Sequence, residues 1–204
     1  MDNVNRLNGI NLRIADKQDA PKLLEIYAPY VEKTPITFED AVPSLAEFEQ
    51  RIALILEKYP YLIAEQDGIP LGYSYASAFK ARAAYSRAVE TTIYVRRDCK
   101  KRGIGRTLYT ALEQILSLQN VLNCNACIAY ADAEDPYLNR DSVHFHRRMG
   151  YRRVGKFNRC GYKFGRWYHV IWMEKHLGIH PDHPSDFQSF TSIRQLVAER
   201  YGIA

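Results

Sequence analysis

The chain has 204 residues, 47% of them hydrophobic and 25% charged, with a formal net charge of +5. This is ordinary for one soluble globular domain with a sizeable core, and no run approaches the ~18 apolar residues that span a bilayer, so a membrane protein is excluded. The N-terminal MDNVNRLNGINLR lacks the apolar segment of a secretory signal, so a cytoplasmic protein is expected.

In chain order, Asn11 to Ala15 reads as a short strand, and Asp16 or Asp19 can cap a helix reaching Val31. Ser44 and Glu47 form a capping-box pattern for a second helix to about Lys58. Tyr61 to Gln66, Asp67-Gly68 and Ile69 to Ser77 read as a hairpin. A polar loop with Arg82, Tyr85 and Arg87 then leads to the stretch that organises the rest, Val89 to Leu118. Thr91, Ile93 and Val95 alternate as in a half-buried strand, and Ile104, Leu108, Ala111, Leu112, Ile115 and Leu118 keep helical spacing. Ala126 to Tyr130 is a strand, Ser142 to Met149 a helix stopped at Gly150, and Arg152 to Phe157 with Tyr168 to Lys175 are the closing strands. Gly178 to Ala204, with a helical stretch near 193–201, reads as an appendage that packs on the domain of residues 1–177 or on a partner subunit. The order predicts an α/β fold: one mixed central sheet of about seven strands with helices on both faces.

Between the organising strand and its helix lies KKRGIGR, Lys100 to Arg106. Its two glycines let backbone N–H groups converge at a helix start, where the helix dipole and Lys100, Lys101, Arg102 and Arg106 favour an anion such as a pyrophosphate. A solvated basic turn is the alternative. A P-loop is excluded because no GxxxxGK string occurs, and a dinucleotide fingerprint fits poorly because Leu108 stands where a third glycine or alanine belongs. The basic surface suits a coenzyme's phosphates better than nucleic acid, since acids are interspersed elsewhere. Cys124 and Cys127 form one CxxC pair, but no second pair follows for zinc, and Cys127 in a strand reads as a buried thiol, so no metal is expected.

The RGIG turn resembles the acetyl-CoA motif of the GCN5-related N-acetyltransferases, departing from it at Lys100, where Arg or Gln is usual. The strings RIADKQDAPKLLEIYAPYV, TFED, YPYLIAEQDGIPLGYSYA, AYSRAVETTIYV, SVHFHRRMGYRRVG and GYKFGRWYHVIWMEK, in that order, resemble the phosphinothricin and methionine-sulfone acetyltransferase branch of that family. The resemblance covers about residues 11–175. It implies transfer of acetyl from acetyl-CoA to the primary amine of a small carboxylate-bearing acceptor, in a homodimer, with two central strands splayed apart around the pantetheine arm. A protein or peptide amine is the alternative acceptor, and a non-catalytic basic module the rival of another class.

The resemblance also assigns roles. Glu90 would be the general base and His146 the acid for the departing thiolate, with a locally hydrogen-bonded helix histidine as the structural alternative. Ile93, Tyr94 and Val95 would line the acetyl and pantetheine site, with a backbone N–H of Tyr94 or Val95 as oxyanion donor. Lys100, Lys101, Arg102, Gly103, Ile104, Gly105 and Arg106 would hold the pyrophosphate, and Asn139 and Ser142 the pantetheine; capping by Asn139 is compatible with that. Phe38, Arg82 and Tyr85 would contact the acceptor, the arginine gripping its carboxylate. Two departures stand out: His169 replaces a family aspartate two residues after Trp167, and the acidic loop ADAEDPYL, residues 131–138, is longer than usual.

Overall fold

One mixed sheet carries the fold in the computed structural model, which describes residues 6, 7 and 9–204. The remaining N-terminal residues, on which part of the signal-peptide reading rests, lie outside the described residues. Eight strands are ordered β1-β2-β3-β4-β5-β6-β8-β7: β1 (Arg6–Leu7), β2 (Ile10–Ile14), β3 (Tyr61–Gln66), β4 (Ile69–Ala78), β5 (Ala88–Val95), β6 (Asn123–Tyr130), β7 (Arg152–Lys163) and β8 (Arg166–His176). The first is a two-residue edge piece, which leaves seven longer strands. All neighbours are antiparallel except β5 and β6, which are parallel and joined by the crossover helix α3 (Ile104–Leu118).

Alternation along the strands divides the core between two faces. On one face Tyr61, Ile63 and Tyr73 pack under α1 (Ala20–Lys33) and α2 (Leu45–Leu56). On the other, Leu62, Ala64, Ala76 and Val89 meet the buried stripe of α3. Ser44 caps α2 through the reciprocal bonds its sequence pattern predicts. The α3 stripe, eight buried residues of fifteen, fastens the crossover to the sheet.

The C-terminal segment packs on the domain itself. Phe190, Ile193 and Val197 of α5 (Phe190–Tyr201), together with Ile203, are buried in the same core as α3. Gln119 fastens it, with its amide nitrogen donating to the carbonyls of Lys58 (2.7 Å) and Gln188 (2.8 Å), and the Ile14 N–H donates to Ala204 (3.1 Å). The sparse apolar spacing near residue 193 hid a helix that begins three residues earlier. The closing strands also run longer than expected and meet in a tight turn at Phe164 and Gly165, both with positive φ. Cys127 lies in β6 as expected but on its exposed side; Cys124 is the buried thiol. Among the described residues no helix is long and apolar enough to cross a membrane.

Candidate active site

Strand β5 forks away from its parallel neighbour. Pairing with β6 covers only Ala88 to Glu90, opposite Asn123 to Asn125, and both strands then continue for five residues without pairing to each other. The fork is lined by polar side chains: the Asn125 amide donates to the Val89 carbonyl (3.1 Å), and Thr91 Oγ1 donates to the Asn125 carbonyl (3.3 Å). These groups occupy backbone acceptors at the point where the ladder ends.

Parity determines which β5 amides face the opening. Phe79 N–H donates to Ala88 O and Arg96 N–H to Leu71 O, so the even-numbered residues of β5 turn their backbone polar groups to β4. Ile93 and Val95 therefore point theirs into the fork, and Tyr94 does not. Of the two expected oxyanion donors, Tyr94 is excluded by this geometry. Val95 remains, its carbonyl held by the Tyr30 hydroxyl at 2.5 Å, and Ile93 joins it. At ~3.3 Å per residue, Ile93 lies about 10 Å along the strand from Glu90, and Val95 about 16 Å.

At the mouth of the fork, Gly103 caps α3 with φ +84° and Lys101 also has positive φ, bending the chain so that the first N–H groups of α3 have no intrahelical acceptor. Gly105 is needed for close approach, since a Cβ there would lie 3.1 Å from the Phe145 ring and 3.4 Å from Ile93. Lys100, Lys101 and Arg106 are exposed around this nest, whereas Arg102 is drawn to Gln66 at 2.7 Å. The arrangement fits a pyrophosphate, with Ile104 buried beneath it.

The helix α4 (Asp141–Arg148) flanks the fork. Asn139 Oδ1 accepts from the Asp141 N–H (3.0 Å) and its amide donates to the Asp141 carboxylate (2.8 Å), so it serves as a local cap. Ser142 is half-buried beside His146. His146 itself is 3% exposed, Nδ1 donating to the Ser142 carbonyl (2.8 Å) and Nε2 lying 3.1 Å from the Tyr109 hydroxyl. That hydroxyl also lies 3.3 Å from Thr91 Oγ1, which links α4 to the fork. Burial pushes the imidazole down to about 4, with the Ser142 carbonyl offsetting part of the shift. His146, expected as the acid, is thus enclosed in this structure, with Nε2 directed at Tyr109. Its place in SVHFHRRMG, among other polar residues, could not reveal the hydroxyl waiting on α3.

Glu90 projects from the face of β5 opposite α3. It is half-buried, and burial raises its carboxyl above the usual range, with Lys80 partly opposing. The Lys80 ammonium lies over the rings of Phe79 (5.0 Å) and Trp172 (5.9 Å), and Cys127 shares the field of Glu90. Phe79 and Lys80 follow β4 directly and Trp172 lies inside β8, so no local pattern in the sequence joined these three.

The expected acceptor residues are not gathered in one place. Phe38 lies flat on β7 over Gly161, where a Cβ would come within 2.3 Å of its ring. Its loop is fastened by the buried Lys163, whose ammonium donates to the carbonyls of Thr37 (2.9 Å) and Glu39 (2.6 Å). Arg82 and Tyr85 instead line a cleft shared with the C-terminal segment, connected to Trp172 through the Tyr85–Phe79–Trp172 ring contacts. The two departures from the family pattern meet each other: His169 Nε2 lies 3.2 Å from Asp132 of the long acidic loop, and Lys156 joins the same carboxylate at 3.0 Å. A carboxylate is thus restored beside position 169 by the loop, and Asp135 accepts from the Tyr168 hydroxyl. Among the described residues no group of three His, Cys, Asp or Glu could hold a metal.

Comparison with known proteins agrees with this geometry. Residues 12–172 match the acetyltransferase (GNAT) domain family. A phosphinothricin N-acetyltransferase of Streptomyces coelicolor is 37% identical over 82% of this chain and 96% of its own length. An L-methionine sulfoximine/L-methionine sulfone acetyltransferase of Salmonella typhimurium is 27% identical over 84% of this chain and 96% of its own. The crystal structure of a phosphinothricin acetyltransferase from Sinorhizobium meliloti in complex with AcCoA superposes with a TM-score of 0.79 at 32% identity, covering 87% of this chain and 94% of that one.

Proposed function

The chain belongs to the GNAT acetyltransferase family and is an acetyl-CoA-dependent N-acetyltransferase; on that premise we propose that its acceptor is the primary amine of a small carboxylate-bearing molecule, an amino acid or analogue such as phosphinothricin or methionine sulfone. The observation that carries this reading is Glu90, a half-buried carboxylate with a raised pKa at the fork of β5 and β6.

The chemistry follows from placement. An amine enters as an ammonium and must lose a proton before it can attack, and Glu90, directly or through one water, accepts it. The nitrogen then bonds to the thioester carbon, and the oxygen that gathers charge is met by an N–H of Ile93 or Val95 in the fork. As the carbon–sulfur bond breaks, one of the two protons still on the attacking nitrogen passes to the thiolate and the other remains as the amide N–H. Lys100, Lys101, Arg106 and the amides of Gly103 to Arg106 hold the pyrophosphate, while Asn139 and Ser142 border the pantetheine path. Phe38 and Trp172 bound the acceptor on the Glu90 face.

A homodimer is supported by the exposed Val154, Phe157, Tyr162 and Trp167 of the β7–β8 hairpin, an apolar patch at the sheet edge. Work in the cytoplasm is supported by four unpaired thiols and the need for acetyl-CoA. The test of the reading is thiol release from acetyl-CoA with a panel of amino acids, methionine sulfone and phosphinothricin. Turnover on small carboxylate-bearing amines is expected; a folded protein that acetylates only peptides, or none of these amines, overturns it.

A further inference from the structure

The vertex of the fork is held by side chains. Glu90 and Asn125 are its last paired residues, and Thr91, next along β5, projects to the face that Val89 shares with α3. Thr91 is 4% exposed, and three polar groups meet its hydroxyl. It donates to the Asn125 carbonyl (3.3 Å), and the hydroxyls of Tyr109 on α3 and of Tyr151 just before β7 each lie 3.3 Å from it. The Asn125 amide closes the same corner by donating to the Val89 carbonyl (3.1 Å), and Tyr109 is met from behind by His146 Nε2 (3.1 Å). One hydroxyl thus joins both arms of the fork to α3 and, through Tyr109, to α4.

Packing alone does not require that hydroxyl. Valine has the shape of threonine without it, and Val89, two residues earlier on the same face, is fully buried in this core. A buried hydroxyl is costly unless it is bonded, so the partners of Thr91 give it a task of orientation rather than of burial. What it orients is set by α3. Tyr109 lies on the helix that opens at the glycine nest, about 7–8 Å along its axis from Ile104 at ~1.5 Å per residue, and Thr91 stands two residues before Ile93, whose amide faces the fork. The contact between Tyr109 and Thr91 fixes the spacing between the anion site and the fork-facing amides.

We propose that Thr91 is a positioning residue for acyl transfer: its hydroxyl pins the vertex of the fork to α3, so that the thioester of acetyl-CoA held at the nest meets the amides of Ile93 and Val95. The inference rests on the fork as the thioester's place and not on the identity of the acceptor amine. Thr91 is enclosed and acts through its neighbours. Without the pin the pyrophosphate keeps its nest while the thioester carbonyl drifts from its donors, and a misplacement of about 1 Å at a reacting centre costs on the order of 10²-fold in rate. Acetyl-CoA affinity stays and turnover falls.

The test compares Thr91→Val, which keeps the shape and deletes the hydroxyl, with Thr91→Ser, which keeps the hydroxyl, and with Tyr109→Phe, which removes the partner on α3. Acetyl-CoA affinity by calorimetry should change by less than about threefold, which also shows that each variant is folded. The readouts are kcat with methionine sulfone and the infrared carbonyl stretch of bound acetyl-CoA, which falls in frequency when N–H groups polarise the thioester. Thr91→Val and Tyr109→Phe should each lower kcat about tenfold or more and lose most of that fall in frequency, while Thr91→Ser stays near the wild type. Wild-type kcat and frequency in either Thr91→Val or Tyr109→Phe would overturn the proposal. So would a Thr91→Ser as impaired as Thr91→Val, which would make the site one of packing. A wild type that binds acetyl-CoA without any fall in frequency would overturn the fork reading beneath it. A fall lost in Thr91→Val and kept in Thr91→Ser, in a protein that does not acetylate methionine sulfone or any other amino acid, keeps the pin and sinks the acceptor reading.

Discussion

The two ends of β5 solve their tasks with different materials. At its C-terminal end the chain presents backbone: amides of Ile93 and Val95 turned into the fork, and the glycine nest that opens α3. At its N-terminal end it presents side chains gathered from distant places, with Glu90 between Lys80, Trp172 and Cys127, and the C-terminal segment behind the loop of Arg82 and Tyr85. A site made of amides tolerates many side chains but few changes of path, whereas one made of side chains can be retuned residue by residue. The donor end should therefore be brittle, and the acceptor end graded.

The largest effect should come from Gly105→Val. Its side chain would collide with Phe145 and Ile93, and acetyl-CoA affinity measured by calorimetry should fall by about 100-fold or more, with a stability cost of roughly 1–3 kcal/mol. Retained affinity would show that the nest is not where the pyrophosphate binds.

His146 should reveal itself in stability rather than in proton transfer. Its folded pKa, about 4, lies below the ordinary 6.5, so the unfolded chain binds more protons between those values. The stabilisation is fully present above about pH 6.5 and is lost as pH falls through 4, roughly 3 kcal/mol in all. Urea titrations from pH 7 to 4 should show this slope, flattened in His146→Gln, whose basic-pH activity limb should not move. A shifted basic limb would favour the acid role.

Lys163→Met should free the Thr37–Glu39 loop and release Phe38 from Gly161, raising KM for the acceptor several-fold while leaving KM for acetyl-CoA unchanged. Parallel rises in both would mean that the loop serves the whole fold. The smallest effect belongs to Lys80→Gln. Removing a cation that lowers the Glu90 pKa should move the acid limb of kcat/KM to higher pH, and no movement would separate Lys80 from the base.

The same division explains what could be read from the chain beforehand. The RGIG turn, the α3 stripe and the strand before it are local patterns whose spacing is their geometry, so the donor end was visible. Even there, which amides face the fork depended on the β4 register, which a lone strand does not disclose. At the acceptor end, Glu90 was legible because a carboxylate interrupts an apolar strand. The clefts were not, because Arg82 and Tyr85 meet residues 187–192 across about a hundred positions of sequence. Three further features needed the third dimension: His146 is enclosed by Tyr109, Cys127 falls on the open side of β6, and Asp132 reaches His169 from a loop whose length alone was visible.

The most direct test of the central claim is the pH dependence of kcat/KM for methionine sulfone with acetyl-CoA, in the wild type and in Glu90→Gln. The account predicts an acid limb in the wild type with its inflection above the usual glutamate range. In the variant, it predicts a rate lower by about 10²–10³ at pH 8 and no such limb. A variant with the wild-type profile and rate would contradict it, and with it the claim that the fork of β5 carries the base.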